Sequence, residues 1–280
     1  MSVRIVTDST SDLTEETAKT LGITVVPLNV HFGTEVRLDG VDLKATDFYQ
    51  LLPTANPLPT TSQPSVGAFL ETYKPLLESG EEIVSIHVSS KASGTYNSAI
   101  QAQQELDSSA PLVVIDTYMV SIGLGLVAKQ AAKTANAGGS IEQVTESVKQ
   151  AMKRVHFFGL LDTLEYLVKG GRIGKAAGFI GSLLNLKPLL TMRDGEVAPL
   201  ERARSRSKGI SRMVELASQL APIEDLGVLY STTPDEANAL AERLSAFTTS
   251  QVSVGQIGPV VGTHVGPGAL AVGLLQSENH

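Results

Sequence analysis

Residues 83–116 read IVSIHVSSKASGTYNSAIQAQQELDSSAPLVVID. The stretch opens with a β-branched run (83–88) and passes through a polar loop (89–97). It continues in a helical pattern (99–106) and returns to a second apolar run, Leu112-Val113-Val114-Ile115-Asp116. Strand, helix and strand in that order make a βαβ unit with two parallel strands. The unbroken apolar run at 112–115 suits a sheet covered on both faces. The same alternation extends outward, with strand patterns at 3–7 and 23–30 and helical patterns at 15–21, 66–77 and about 121–135. The N-terminal half is therefore predicted as α/β, with a doubly wound, mostly parallel sheet.

Gly138-Gly139-Ser140 introduces a further helix, with Ser140 as N-cap and Gln143 placed for a capping box. Near Val155 the pattern changes, which puts the domain boundary there: 1–155 and a smaller α/β domain at 156–280. Within the second domain, 159–171 reads as a strand end and a short helix, followed by a helix near 176–184. Asp194-Gly195 between two apolar runs signals a β-hairpin. Helices at 208–220 and 234–246, strands at 226–230 and 252–257, and a closing helix at 268–275 complete the expectation.

Composition narrows the function. A formal charge of -7 over 280 residues argues against a nucleic-acid backbone as the main partner. With no cysteine, thiolate chemistry and disulfides are out. No apolar stretch reaches the roughly 18–20 residues that span a bilayer, so stable membrane insertion is not expected. The run from Met1 into Val3-Arg4-Ile5-Val6 lacks the layout of a secretory signal, and a cytoplasmic protein is expected. Gly170-Gly171-Arg172-Ile173-Gly174-Lys175-Ala176 lacks the spacing and hydroxyl of a nucleotide loop. Gly123-Leu124-Gly125 falls inside a helical pattern, where close packing explains the glycines. No Gly-x-Ser-x-Gly elbow is present. Histidines at 31, 87, 156, 264 and 280 include no metal-binding pair, so no metal and no cofactor are expected.

What remains are polar loops at the carboxyl ends of apolar strands, where open α/β sheets bind ligands. In Thr7-Asp8-Ser9-Thr10-Ser11-Asp12-Leu13, Asp12 or Thr14 can cap the next helix, and Asp8 and Ser9 can organise the loop. In Pro59-Thr60-Thr61-Ser62-Gln63-Pro64-Ser65, Ser65 is a natural N-cap, leaving Thr61 and Ser62 exposed in a short stiff loop. In the loop at 89–97, Gly94 allows close backbone approach, free helix-start amides attract anions, and Ser93 adds a hydroxyl. A plain strand-to-helix turn explains that loop equally well, and phosphate and carboxylate fit it equally. Glu165 and Lys169 are spaced to pair on one helix face. Arg172 reads as a solvated charge or an anion partner. Arg202, Arg204, Arg206, Lys208 and Arg212 form a basic patch, either a solvated face or a site for an acidic partner. The glycine- and proline-rich segment 258–269 presents His264.

Taken in order, these segments resemble the DegV family, which includes the fatty-acid-binding subunits of bacterial fatty acid kinase. The matching motifs are 8–13, Thr61-Ser62-Gln63-Pro64-Ser65, 89–99, Asp116-Thr117, 164–173, Lys187-Pro188-Leu189-Leu190 and 258–269. The resemblance implies a two-domain fold burying one long-chain fatty acid. Its carboxylate would be held by Thr61, Ser93 and the Gly94 amide, with no catalytic residue of the chain's own. It places Ser62, Arg172, His264 and, less directly, Arg202 near the head group or the partner surface. The implied partner is a separate ATP-dependent kinase subunit that makes the acyl phosphate. Ala92 and Val168 stand where relatives often carry Leu and Lys. Two other readings stay open: a phosphoryl-transfer or hydrolytic enzyme using Asp8, His264 and Arg172 on a small anion, and a lipid-responsive regulatory module.

Overall fold

The computed structural model describes residues 2–179 and 186–278. Strand β1 (Val3–Asp8) leads through a 3-10 turn, Ser9–Ser11, into helix α1 (Glu15–Leu21) and β2 (Ile23–Val26). Thr14, not Asp12, caps α1, its hydroxyl accepting the Thr17 amide at 3.1 Å. The single strand expected at 23–30 is two strands. Pro27 cannot donate to a ladder, and after it the chain leaves the first sheet to form β3 (Asn29–Phe32). β3 pairs antiparallel with β4 (Glu35–Leu38) and β5 (Thr60–Ser62), with α2 (Ala45–Leu51) between them in sequence. Thr61 and Ser62 therefore lie on a strand rather than in a loop.

Helix α3 (Val66–Glu78), capped by Ser65, precedes β6 (Glu82–His87), α4 (Thr95–Glu105) and β7 (Leu112–Asp116). The first sheet has the order β2-β1-β6-β7 and is parallel throughout. Both of its faces are covered. Val6, Ile83 and Leu112 pack with Phe69 and Tyr73 of α3 and Ala99 of α4, while Ile5, Val84 and Ile86 turn to the opposite core.

Helices α5 (Ile122–Asn136) and α6 (Ile141–Arg154) follow, α6 with the expected capping box at Ser140 and Gln143. Gly123 and Gly125 lie inside α5; a Cβ on Gly125 would fall 2.6 Å from the Ser11 carbonyl oxygen. Next come β8 (Val155–Leu160), α7 (Glu165–Lys169) and a 3-10 turn, Gly174–Phe179. The helix expected at 176–184 falls partly on that turn and otherwise outside the described residues, as does His280. The hairpin at Asp194-Gly195 joins β9 (Lys187–Arg193) to β10 (Glu196–Ala203). Then come α8 (Arg206–Gln219), β11 (Ile223–Tyr230), α9 (Pro234–Leu244), β12 (Ser253–Gln256), α10 (Pro259–Val265) and β13 (Leu270–Gln276).

β13 corrects the expected closing helix. It runs antiparallel between β8 and β11, inside a six-stranded sheet ordered β10-β9-β8-β13-β11-β12. Leu270 to Leu275 are all buried, so the run shows no alternation, and an apolar stretch buried all round looks alike as strand or helix. The same closing segment hides α10, whose seven residues are too few for a readable period.

Helix α5 lies between the two large sheets. One hydrophobic core joins Ile5, Val84 and Ile86 of the first sheet, through Leu124, Val127 and Ala128 of α5, to Leu190, Leu229 and Ala271 of the second. Ile122 rests over two glycines of neighbouring strands; a Cβ on Gly227 or Gly273 would approach it to 2.5 or 2.6 Å. Gly273→Ala should therefore cost about 1–3 kcal/mol by overpacking. Trimming Ile122 to Ala in the same chain should recover part of that loss in urea unfolding; strictly additive penalties would refute the contact.

Candidate functional site

The loops at the carboxyl ends of β1 and β6, the small sheet, and the elements α7, β8–β10 and α10 enclose a mostly aliphatic cavity. Most of its wall is aliphatic: Val88, Val120, Leu161, Leu167, Leu190, Met192, Val197, Val260, Val261 and Val265, with Phe157 the aromatic member. The polar lining comes from Thr10, Thr61, Ser62, Gln63, Ser93, Ser121, Arg172 and His264.

Pairing with Val30 in β3 fixes Thr61, whose Oγ1 lies 2.8 Å from His264 Nε2. The contact spans 203 positions of sequence. Burial, and then the nearby Arg172 charge, hold the His264 imidazole down to about 4, so it is neutral at pH 7. Its Nδ1 is buried with no partner among the described residues. The ring is seated against Gly170, where a Cβ would come within 2.3 Å of Nδ1. With its proton on Nε2, neutral His264 donates to Thr61 Oγ1, and the threonine keeps its own proton to donate elsewhere.

Ser93 has a similar arrangement. Its Oγ accepts the Thr95 amide at 3.3 Å and lies 2.8 Å from the Thr95 hydroxyl. If that hydroxyl donates as well, the Ser93 proton is left to point into the cavity. Gly94 is the N-cap of α4 and has no side chain to satisfy it. It does not line the cavity: the Gln63 amide lies over it, and a Cβ there would meet Gln63 Nε2 at 2.9 Å.

Other expected site residues divide. Ser62 lines the cavity, but its hydroxyl is engaged by Asn29 Nδ2 at 3.1 Å and His31 Nε2 at 2.9 Å. Arg172 lies at the rim, exposed, donating to the carbonyls of Ala92 (3.2 Å) and Gly170 (2.7 Å). Arg202 is outside the lining, its guanidinium 4.4 Å from the Phe179 ring centroid. In the basic patch, Arg206 pairs with Asp162 and Glu236, and Arg212 with Glu201 and Glu215; Arg204 and Lys208 are exposed. Glu165 and Lys169 pair as their spacing suggests, at 2.5 Å.

Asp8 is fully buried and lines no part of the cavity. It accepts from the Thr10 amide and hydroxyl, from the Val88 amide at 3.0 Å, and meets His87 Nδ1 at 3.0 Å. Ser9 accepts the Leu28 amide at 3.0 Å. Both order the loop that presents Thr10, and Asp8 is not brought together with His264 and Arg172. Sequence reasoning passed over Ser121, a cavity-wall residue in an unusual backbone conformation (φ 56°, ψ −141°) that no side-chain pattern announces. No group of three potential metal ligands occurs among the described residues, and no described helix is long and apolar enough to cross a membrane.

Fold and site together define an α/β protein of two large sheets and one small one, built around an aliphatic cavity with an uncharged polar end and a cationic rim. The chain belongs to the family described as "Uncharacterised protein, DegV family COG1307", which it matches over residues 2–277. It is 41% identical over 277 residues to a DegV domain-containing protein of Streptomyces coelicolor, covering 96% of this chain and 97% of that one. Among solved structures it is similar to a DegV family protein from Thermus thermophilus described for its fatty acid binding. The TM-score is 0.92 at 33% identity, over 99% of this chain and 100% of that one. It is also similar to DegV of Bacillus subtilis, described as a fatty acid binding protein, with TM-score 0.89, 33% identity and the same coverage.

The lowered His264 value has a measurable consequence. Between about pH 4 and 6.5 the unfolded chain takes up a proton that folded His264 refuses, so stability falls as pH drops through that window. His264→Gln should flatten that part of the urea-unfolding profile by about 1–3 kcal/mol. Superimposable profiles would show that the ring is not held neutral.

Proposed function

We propose that this protein binds one long-chain fatty acid, burying the acyl chain in the aliphatic cavity and holding the carboxylate at its polar end. The observation that carries this reading is the pair of hydroxyls, Thr61 and Ser93, on the lining of a mostly aliphatic cavity. Each sits beside a neighbour that can donate to its oxygen, leaving its own proton for an anion. The solved relatives described as fatty acid binding support the same ligand.

The energetics fit. Each buried methylene contributes about 0.8 kcal/mol, so a long acyl chain supplies roughly 10 kcal/mol before ordering costs. The head group faces a penalty of several kcal/mol if buried without donors. The two hydroxyl donors offset part of that penalty without a full countercharge. A carboxylate held in this way keeps its nucleophilic oxygen lone pairs. The finer reading is that it is presented to a separate ATP-dependent kinase subunit and converted there to an acyl phosphate. Arg172 at the rim, with Arg202 as a second surface cation, is then the face the kinase meets. In this reading residues 1–155 supply the carboxylate loops, and 156–280 supply most of the aliphatic wall and the partner surface.

Denaturing mass spectrometry of the purified protein should release stoichiometric fatty acid; a phosphorylated metabolite in its place would overturn the assignment. The double variant Thr61→Val/Ser93→Ala removes two charge-assisted hydrogen bonds and should weaken retention by about two orders of magnitude. Unchanged occupancy in that variant would move the head group elsewhere. Arg172→Ala should keep the lipid and slow its phosphorylation by the kinase. Acyl phosphate formed from ATP and fatty acid with no second protein would end the carrier reading.

A further inference from the structure

Two carboxyl side chains lie against the start of α10, the helix that carries His264. Asp12 adopts the left-handed conformation (φ 51°) at the end of the turn after β1. Its Oδ1 accepts the Gly258 amide at 2.8 Å, and its Oδ2 accepts the Ser121 hydroxyl at 2.5 Å. Asp39, just past β4 and 4% exposed, faces the Ser9 hydroxyl and the Val260 amide. Its Oδ2 is buried with no hydrogen-bond partner among the described residues.

Gly258 is the point where these groups meet. A Cβ there would lie 2.9 Å from Asp12 Oδ1 and 3.4 Å from Asp39 Oδ1, so both carboxyls crowd one residue. That residue is the N-cap of α10 and brings no capping side chain, while the first amides of any helix lack partners within it. Asp12 and Asp39 face those amides from distant parts of the chain. Through Ser121, Asp12 also reaches the start of α5, where the same serine holds a backbone conformation rare for a side-chain-bearing residue. Val120 and Ser121 line one part of the cavity wall; Val260, Val261 and His264 line another. One carboxyl therefore joins the two segments whose separation sets the cavity.

We propose that Asp12 and Asp39 are positioning residues for the fatty-acid site: the pair clamps the first turn of α10 toward the start of α5 and so sets the Thr61–His264 couple. This rests on the fatty-acid reading above. Two bare carboxylates crowded against one residue, Asp39 buried and Asp12 partly so, repel, and a single retained proton lowers that repulsion. The surroundings favour keeping it. Burial pushes Asp12 up to about 7 and Asp39 up to about 8, with the Asp8 charge adding to both. The Tyr49 phenol near them is itself raised by burial and stays neutral. Glu15, Lys19 and Lys44 border the open groove alongside, Lys44 turned to Glu15 and the Gly40 carbonyl. Lys129 of α5 is committed to Asp225, and His264 is neutral at pH 7. Among the described residues no cation pairs with Asp12 or Asp39.

The direction follows. Between about pH 4 and pH 8 the folded protein retains a proton that the unfolded chain gives up, so the clamp weakens as pH rises through 7 to 8. The test follows amide hydrogen exchange of residues 258–265, corrected for intrinsic rate, and the retention half-time of bound palmitate, both from pH 6 to pH 8.5. In the wild type, α10 protection and palmitate retention should each fall about fivefold or more over that range. Asp39→Asn puts a permanently neutral partner beside Asp12 and should flatten both profiles. Asp12→Ala, which removes both hydrogen bonds, should lower retention at every pH. Wild-type α10 protection that does not change with pH overturns the clamp, and this measurement decides even if the variants fail to fold. pH-dependent protection that persists unchanged in folded Asp39→Asn overturns it as well. If the wild type holds no palmitate at any pH while α10 protection still follows pH as described, the clamp stands and the fatty-acid reading fails.

Discussion

Helix α5 has no solvent face over its first two turns. Ile122 to Ala128 are buried between the parallel sheet and the strands β8, β11 and β13. Each fully buried Leu, Ile or Val contributes about 1.5–3 kcal/mol, so this shared layer is among the largest single contributions to holding the two sheets together. It also constrains geometry. With both sheets packed on one helix, the loops of the first sheet face β8, β9 and α10, and the space between them is the cavity. Small residues make the fit possible: Gly125 under the turn after β1, and Gly227 and Gly273 under Ile122.

The polar end of the cavity follows from the chemistry of burial. A formally charged imidazole is costly in an apolar surround, and His264 answers by staying neutral. Neutral imidazole and hydroxyls can still pass hydrogen-bond polarity inward, so the site acquires donor strength without fixed charge. The nearest full charge, Arg172, is kept at the rim by two backbone carbonyls. Beneath this end, Asp8 and Ser9 tie the β1 loop to β6 and to Leu28, so Thr10 is presented by a loop with little freedom of its own.

Much of the parallel sheet was legible in the sequence. Val3–Asp8, Glu82–His87 and Leu112–Asp116 announce themselves by β-branched runs, and Ser65 and Ser140 mark helix starts by their own hydroxyls. These signals are local, a backbone preference or a cap within four residues. The small sheet was not legible, because Glu35–Leu38 and Thr60–Ser62 are short and mostly exposed or half-buried. They become strands only by pairing with Asn29–Phe32. The last strand failed for the opposite reason, being buried on every side. Thr61, Ser93 and His264 stood out as polar residues in stiff or glycine-rich segments, but nothing in their spacing showed that Thr61 and His264 meet.

By itself, then, the chain's order of residues determined the α/β class, the parallel first sheet, the family to which it belongs, and which polar segments carry hydroxyls. Those properties depend on contacts between near neighbours or on motifs read in order. Tertiary structure alone decided that an aliphatic cavity lies between the sheets, that His264 is neutral and set against Thr61, and that Asp12 joins the starts of two helices. Each of these depends on burial and on contacts made across more than a hundred residues. A charge or hydroxyl has no defined energy until the surrounding chain has displaced water from around it.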